Sequence, residues 1–280
     1  MLGAITGDII GSRFEFNSIK STDFDLLGRG CRYTDDSAMT MAVAEWLLDD
    51  PNRSREMLEQ KMVKYGELDP DAGFGGRFYD WLFHPEKLWS DGKRHPYNSW
   101  GNGSAMRVSA IGWMFDSLEE TEHVAKISAS ITHNHPEGIK GAQATAAAIF
   151  MARNEASKDE IKNYIANKFN YDLNRTIEQI RSTYEFEVSC QKSVPEAIIA
   201  FLDSTYYESA IRLAISLGGD ADTQACIAGG IAEAFYGMPD NLVEDIGYHL
   251  PLIYKTNVIR MAENSAYRIC REQLRRCWRK

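Results

Sequence analysis

Apolar residues recur along most of this chain at every third or fourth position, the spacing that lines one face of an α-helix. Sustained alternation of the kind that marks strands is scarce, so the pattern predicts an all-α fold, a compact multi-helix domain. Met39 to Leu48 reads as a buried helix closing at Asp49-Asp50-Pro51. From Pro136 to Arg153, Ile139, Ala142, Ala146, Ile149 and Phe150 fall on one face, with proline in the first turn, where a missing N–H costs nothing. Glu208 to Leu217 and Thr223 to Tyr236 make two further helices, the latter ended by Gly237-Met238-Pro239. Its Ala225, Ala228, Gly229, Gly230 and Ala232 are small enough for very close helix packing. Between Glu67 and Tyr97 the period gives way to Gly, Pro and aromatic residues, read as a surface loop region that shapes a pocket.

No internal repeat or composition break divides the 280 residues, so one domain over 1–280 is expected. A net charge of −9 argues against a stable nucleic-acid partner, which needs a basic face to release counterions. The five cysteines, odd in number and without a C-x-x-C pair, read as reduced thiols. With no basic leader at the N-terminus and no apolar run near the roughly 20 residues that span a bilayer, a cytoplasmic monomer without a membrane partner is expected. The basic stretch Arg268 to Lys280 reads as compensation of a terminal helix dipole.

Candidate chemistry is concentrated in two acidic clusters far apart in the chain, Tyr33-Thr34-Asp35-Asp36-Ser37 and Gly218-Gly219-Asp220-Ala221-Asp222-Thr223. Each packs two carboxylates and a hydroxyl into a few residues and runs into an Ala-rich helix. Taken singly, either could cap that helix, since Thr, Asp and Ser are preferred N-caps. Taken together they look like two halves of one site of hard oxygen ligands, suited to Mg²⁺ or Mn²⁺. Asp8, on a Gly-flanked helix, and Glu15, seven residues on, are acids of the kind that act as general base or orient water beside metals. If the opening helix persists, both lie on one side of it; if it ends after Gly11, Glu15 stands on a loop over the pocket.

Two glycine-rich turns, Gly101-Asn102-Gly103-Ser104 and Gly73-Phe74-Gly75-Gly76, offer backbone N–H groups to an anion, although neither is a Walker loop. Thr132-His133-Asn134-His135 precedes the long helix; without a third nitrogen or sulfur ligand nearby, these histidines read as substrate-binding or supporting groups, and His135 equally as structural. No Gly-x-Ser-x-Gly elbow or local Cys-His pairing indicates a covalent nucleophile.

In this order, Gly3-Ala4-Ile5-Thr6-Gly7-Asp8, Thr34-Asp35-Asp36, Gly101-Asn102-Gly103 with Met106-Arg107, Thr132-His133-Asn134 and Gly218-Gly219-Asp220-Ala221-Asp222-Thr223 resemble the ADP-ribosylglycohydrolase family over most of the chain. The resemblance implies an all-α fold with two Mg²⁺ or Mn²⁺ ions at the base of a cleft. Thr34, Asp35 and Asp36 would hold the metals from one side, and Asp220, Asp222 and Thr223 from the other. ADP-ribose would lie along Gly73, Gly75, Gly101, Asn102 and Gly103, with His133 beside it. Glu15 takes the place of the glutamate that gates the site in serine-directed members, with Asp35 or Glu15 as the catalytic acid or base. Ser37 stands where many members have threonine. The implied reaction is hydrolysis of the glycosidic bond joining ADP-ribose to an acceptor, arginine or serine of a protein foremost. A metal-dependent nucleotide-diphosphate phosphohydrolase and a non-catalytic ADP-ribose-binding module are the competing readings.

Overall fold

Gly3, Gly7 and Gly11 sit one helical turn apart on the helix Leu2–Gly11, and their face meets the helix Ala221–Tyr236 almost backbone to backbone. A Cβ on Gly7 would stand 2.0 Å from the carbonyl oxygen of Ala225, and one on Gly11 2.5 Å from the Cα of Asp222. Only glycine permits that approach. In the computed structural model, which describes residues 1–278 and the backbone alone at 268 and 269, this helix pair is the axis of the fold.

Ala221–Tyr236 is buried from Ala221 through Glu233, so it has no polar face. A helix apolar all round belongs at the centre of its layers. Around it pack Leu2–Gly11, Pro136–Arg153, Cys190–Asp203 and Tyr207–Ile215. Asp35–Asp49 and Leu118–Ser130 extend the bundle, and the buried apolar side chains form one continuous core. Among the described residues there is no strand, only an isolated bridge between Gly101 and Ser189. No helix among them is long and apolar enough to cross a membrane.

Two expectations need correction, and one left open is decided. The helix expected from Met39 starts at Asp35, because the Asp8 carboxylate accepts hydrogen bonds from the Thr34 and Ser37 amides and so caps the helix from outside. The expected loop between Glu67 and Tyr97 contains the helices Gly76–Phe83 and Pro85–Leu88. In the first, Phe78, Trp81 and Leu82 are buried at helical spacing, a period hidden by the aromatic composition. The opening helix ends at Gly11, so Glu15 lies beyond it, over the cavity. Within the basic C-terminal stretch, Arg275 pairs with Glu272 and Arg276 with Asp240. The Arg268 side chain, Arg279 and Lys280 lie outside the described residues.

Candidate metal centre and substrate cavity

The two acidic clusters, 187 residues apart, meet at a hydrogen bond of 3.2 Å from Thr223 Oγ1 to Asp36 Oδ2. The glycine contact between Leu2–Gly11 and Ala221–Tyr236 carries Asp8 into the same place. Asp8 is wholly buried and accepts four hydrogen bonds: Oδ1 from Thr34 Oγ1 at 2.6 Å, and Oδ2 from the Thr34 amide at 2.9 Å, the Ser37 amide at 3.0 Å and the Ser37 hydroxyl. It therefore works as an anchor that fixes the first acidic loop. Thr34 gives its hydroxyl proton to Asp8, which leaves lone pairs on Oγ1.

Neither cluster caps its own helix. Thr34 and Asp220 occupy the N-cap positions, yet neither side chain makes a capping hydrogen bond. Asp220 Oδ2 instead accepts from Asn102 Nδ2 at 2.7 Å, and Asp222 Oδ1 accepts from the Thr223 amide at 2.9 Å. Asp36 Oδ1 is buried with no hydrogen-bond partner among the described residues. A buried carboxylate oxygen left bare is costly unless something positive meets it.

The charges say the same. Burial, then the neighbouring acids, push Asp35, Asp36 and Asp222 well above the usual carboxylate range. Glu15 is raised to about 8 by burial and by Asp222, and Asp220 to about 6, chiefly by burial. Like charges this close cannot all ionise without a counter-charge, and no lysine or arginine forms an ion pair with any of them among the described residues. Two groupings bring one oxygen from each acid within 4.8 Å of the others: Asp8, Asp36 and Asp222, and Glu15, Asp220 and Asp222. With Asp8 already engaged in four hydrogen bonds, the acids less committed within the chain are Glu15, Asp35, Asp36, Asp220 and Asp222. That set fits divalent magnesium or manganese.

These acids form one end of a cavity of about 470 Å³, within the usual size of small-molecule sites. Gly73, Gly75, Gly101, Asn102, Gly103 and His133 line it too, so these join Glu15, Asp35, Asp36, Asp220, Asp222 and Thr223 around one cavity, while Asp8 and Thr34 lie behind it. Gly73 has a positive φ of 105°, which a side chain rarely adopts, and a Cβ there would stand 3.7 Å from Asp35 Oδ1. Gly75 and Gly76 are different: a Cβ on either would meet nothing within 4 Å. Packing does not require glycine there, and their open backbone leaves room for a ligand at the start of the helix Gly76–Phe83. His135 is structural, its Nδ1 accepting from the Glu137 amide at 3.1 Å as the N-cap of Pro136–Arg153.

Sequence reasoning did not pick out Arg77, Tyr97, Trp100, Phe186 and Val188, which also line the cavity. Trp100 and Phe186 are about half exposed, at 52% and 51%. Phe186 lies in a stretch without helical period, where no local signal marks it. A charged residue inside the apolar run after Gly103 was the available signal for Arg107, which is buried against the same cavity.

The sequence model of the family described as ADP-ribosylglycohydrolase matches residues 1–274. The chain belongs to the ADP-ribosylglycohydrolase family. It is thus a glycosidic-bond hydrolase of that family. Human ADP-ribosylhydrolase ARH3 is 27% identical to it, aligned over 85% of this chain and 84% of its own. The ADP-ribosylarginine hydrolase Tri1 of Pseudomonas putida (strain GB-1) is 26% identical, over 89% of this chain and 73% of its own. A solved structure of an ADP-ribosylglycohydrolase-related protein complex superimposes with a TM-score of 0.69 at 22% identity, covering 96% of this chain and 95% of that one, and so shares the fold.

Proposed function

We propose that this ADP-ribosylglycohydrolase removes ADP-ribose from an acceptor, protein arginine or serine foremost, and that it needs two Mg²⁺ or Mn²⁺ ions to do so. The observation that carries the metal requirement is the unpaired, buried Asp36 Oδ1 among carboxylates with which no lysine or arginine forms an ion pair among the described residues. Thr34, Asp35 and Asp36 would hold the ions from one side, and Asp220, Asp222 and Thr223 from the other, with Glu15 close enough to join Asp220 and Asp222. Bound there, the ions would supply Lewis-acid clamping of ribose hydroxyls and a water acidic enough to attack.

The chain's own residues set the rest of the reaction. Asn102 orients Asp220 through its 2.7 Å bond, tying the glycine turn that would cradle the diphosphate to the acids beside the scissile bond. Gly73, Gly75, Gly101 and Gly103 let that ligand lie against bare backbone, and His133 faces it from the wall. Glu15, half-buried at the edge of the acid cluster, is open enough to exchange a proton with the attacking water or the departing acceptor atom. Asp35, deeper and beside Gly73, is the other acid in reach of that role. The same reading places the protein in the cytoplasm as a monomer, without nucleic-acid or membrane partners. The net charge of −9 and the five unpaired cysteines support it.

Incubation with arginine- and serine-ADP-ribosylated substrates, in Mg²⁺ or Mn²⁺ and then in EDTA, tests the proposal by mass spectrometry of the products. Metal-dependent release of free ADP-ribose is expected. Release of AMP instead, or turnover unchanged by EDTA, would overturn it.

A further inference from the structure

Arg107 is 1% exposed and carries its charge into the protein without an acidic partner among the described residues. Its Nη2 donates to the Ser128 carbonyl at 2.6 Å and to Thr132 Oγ1 at 3.0 Å. Thr132, wholly buried, lies with that same oxygen 2.7 Å from His133 Nδ1. Guanidinium only donates, so Thr132 Oγ1 must accept from it. The hydroxyl proton then has one acceptor in reach, His133 Nδ1; any other arrangement leaves a buried hydroxyl proton unpaired. Nδ1 is thereby an acceptor, and the ring proton sits on Nε2.

We infer that Arg107 and Thr132 are positioning residues that fix His133 as a neutral Nε2–H donor aimed into the cavity, at an oxygen of the ligand held over the Gly101–Gly103 turn. Nε2 lies within 3.5 Å of where a Cβ on Gly101 would stand and 3.3 Å of one on Gly103, so it overlooks the bare backbone of that turn. No hydrogen-bond partner for Nε2 is found among the described residues, and His133 lines the cavity. A neutral donor suits this place because a charged imidazole would sit buried beside the Arg107 guanidinium. The chemical partner is a phosphate or hydroxyl oxygen, which accepts from a neutral N–H. The ligand's identity rests on the proposed function; the tautomer does not.

Long-range ¹H–¹⁵N NMR of the imidazoles tests the two parts separately, with His133→Gln used to assign the signal. The wild type is expected to show an acceptor-type Nδ1 and a protonated Nε2, unchanged between pH 6 and 8 within about a unit of ordinary histidine titration. A protonated Nδ1 would overturn the inference whether or not the protein binds ADP-ribose. Thr132→Val removes the hydroxyl at nearly constant shape. It is expected to release the tautomer into a mixture and to weaken ADP-ribose binding roughly tenfold, the scale of one hydrogen bond. Thr132→Ser is expected to restore both. Thr132→Val with an unaltered tautomer would also overturn the inference. If that variant does not fold, the wild-type spectrum decides alone.

Discussion

Glu45 and Asp36 are both buried acids on the helix Asp35–Asp49, and the fold treats them in opposite ways. Burial alone would raise Glu45, but hydrogen bonds from Lys61, Lys64 and Tyr65 outweigh it and hold the carboxyl down at about 2. Asn257 adds a further donor at 3.2 Å. At the other end of the helix Asp36 meets Asp222, Asp8, Asp35 and Asp220, and is pushed well up. Acids buried for structure bring their cations with them in the chain. Those at Asp35, Asp36, Asp220 and Asp222 have no lysine or arginine ion-pair partner among the described residues, which is what the proposed metal site requires.

The contrast breaks most visibly at the acids themselves. Asp36→Asn is expected to lower ADP-ribose release by about 10³-fold or more, the equivalent of several kcal/mol of transition-state stabilisation. The same substitution should raise the melting temperature of the EDTA-stripped protein, because it removes a buried like charge. Glu45→Gln should do the reverse, leaving turnover near wild type in folded protein and costing about 2 kcal/mol of stability in denaturant titration. That figure sits below the range for a fully buried pair because the Lys64 side chain is 41% exposed. If both variants lose stability equally, the distinction between the two regions fails.

Gly7→Ala probes how the acids are brought together. Its Cβ would collide with the Ala225 carbonyl, so a loss of about 3 kcal/mol is expected from overpacking, with Asp8 drawn off the first acidic loop. Gly75→Ala is the control at the other side of the cavity. With open space at its Cβ, it should leave stability within about 0.5 kcal/mol while weakening ADP-ribose binding, read by calorimetry.

The sequence carried the helices because their apolar period is local, and Pro136–Arg153 begins and ends where the pattern places it. It carried the acid clusters because Thr34-Asp35-Asp36 and Asp220-Ala221-Asp222-Thr223 are each contiguous. It could not show that Asp8 is spent on the Thr34 and Ser37 amides, since that capping crosses from one helix to another. Nor could it place Phe186 on the cavity wall, 171 residues from Glu15 in sequence and beside it in space only through the fold. The Arg107–Thr132–His133 chain was hidden for the same reason: its first link spans 25 residues.

The smallest effect is in pH. Glu15 is raised from 4.5 to about 8 in the fold, so its contribution to stability is present at low pH and lost as pH rises through 8. Asp35, Asp36 and Asp222 shift in the same direction. His133 is held well below its usual 6.5 by burial, so its own loss falls below pH 6.5 and leaves the interval above to the acids. Thermal melts of EDTA-stripped protein should therefore fall from pH 6.5 to 8, and the slope should flatten when Mg²⁺ is present.

Calorimetric titration of Mn²⁺ into the EDTA-stripped wild type and Asp36→Asn addresses the central claim most directly. Saturable binding of two ions by the wild type, with at least one lost in the variant, is the predicted result. Absence of binding to folded wild-type protein, or identical binding by the variant, would contradict the claim that these buried acids are built for an external cation.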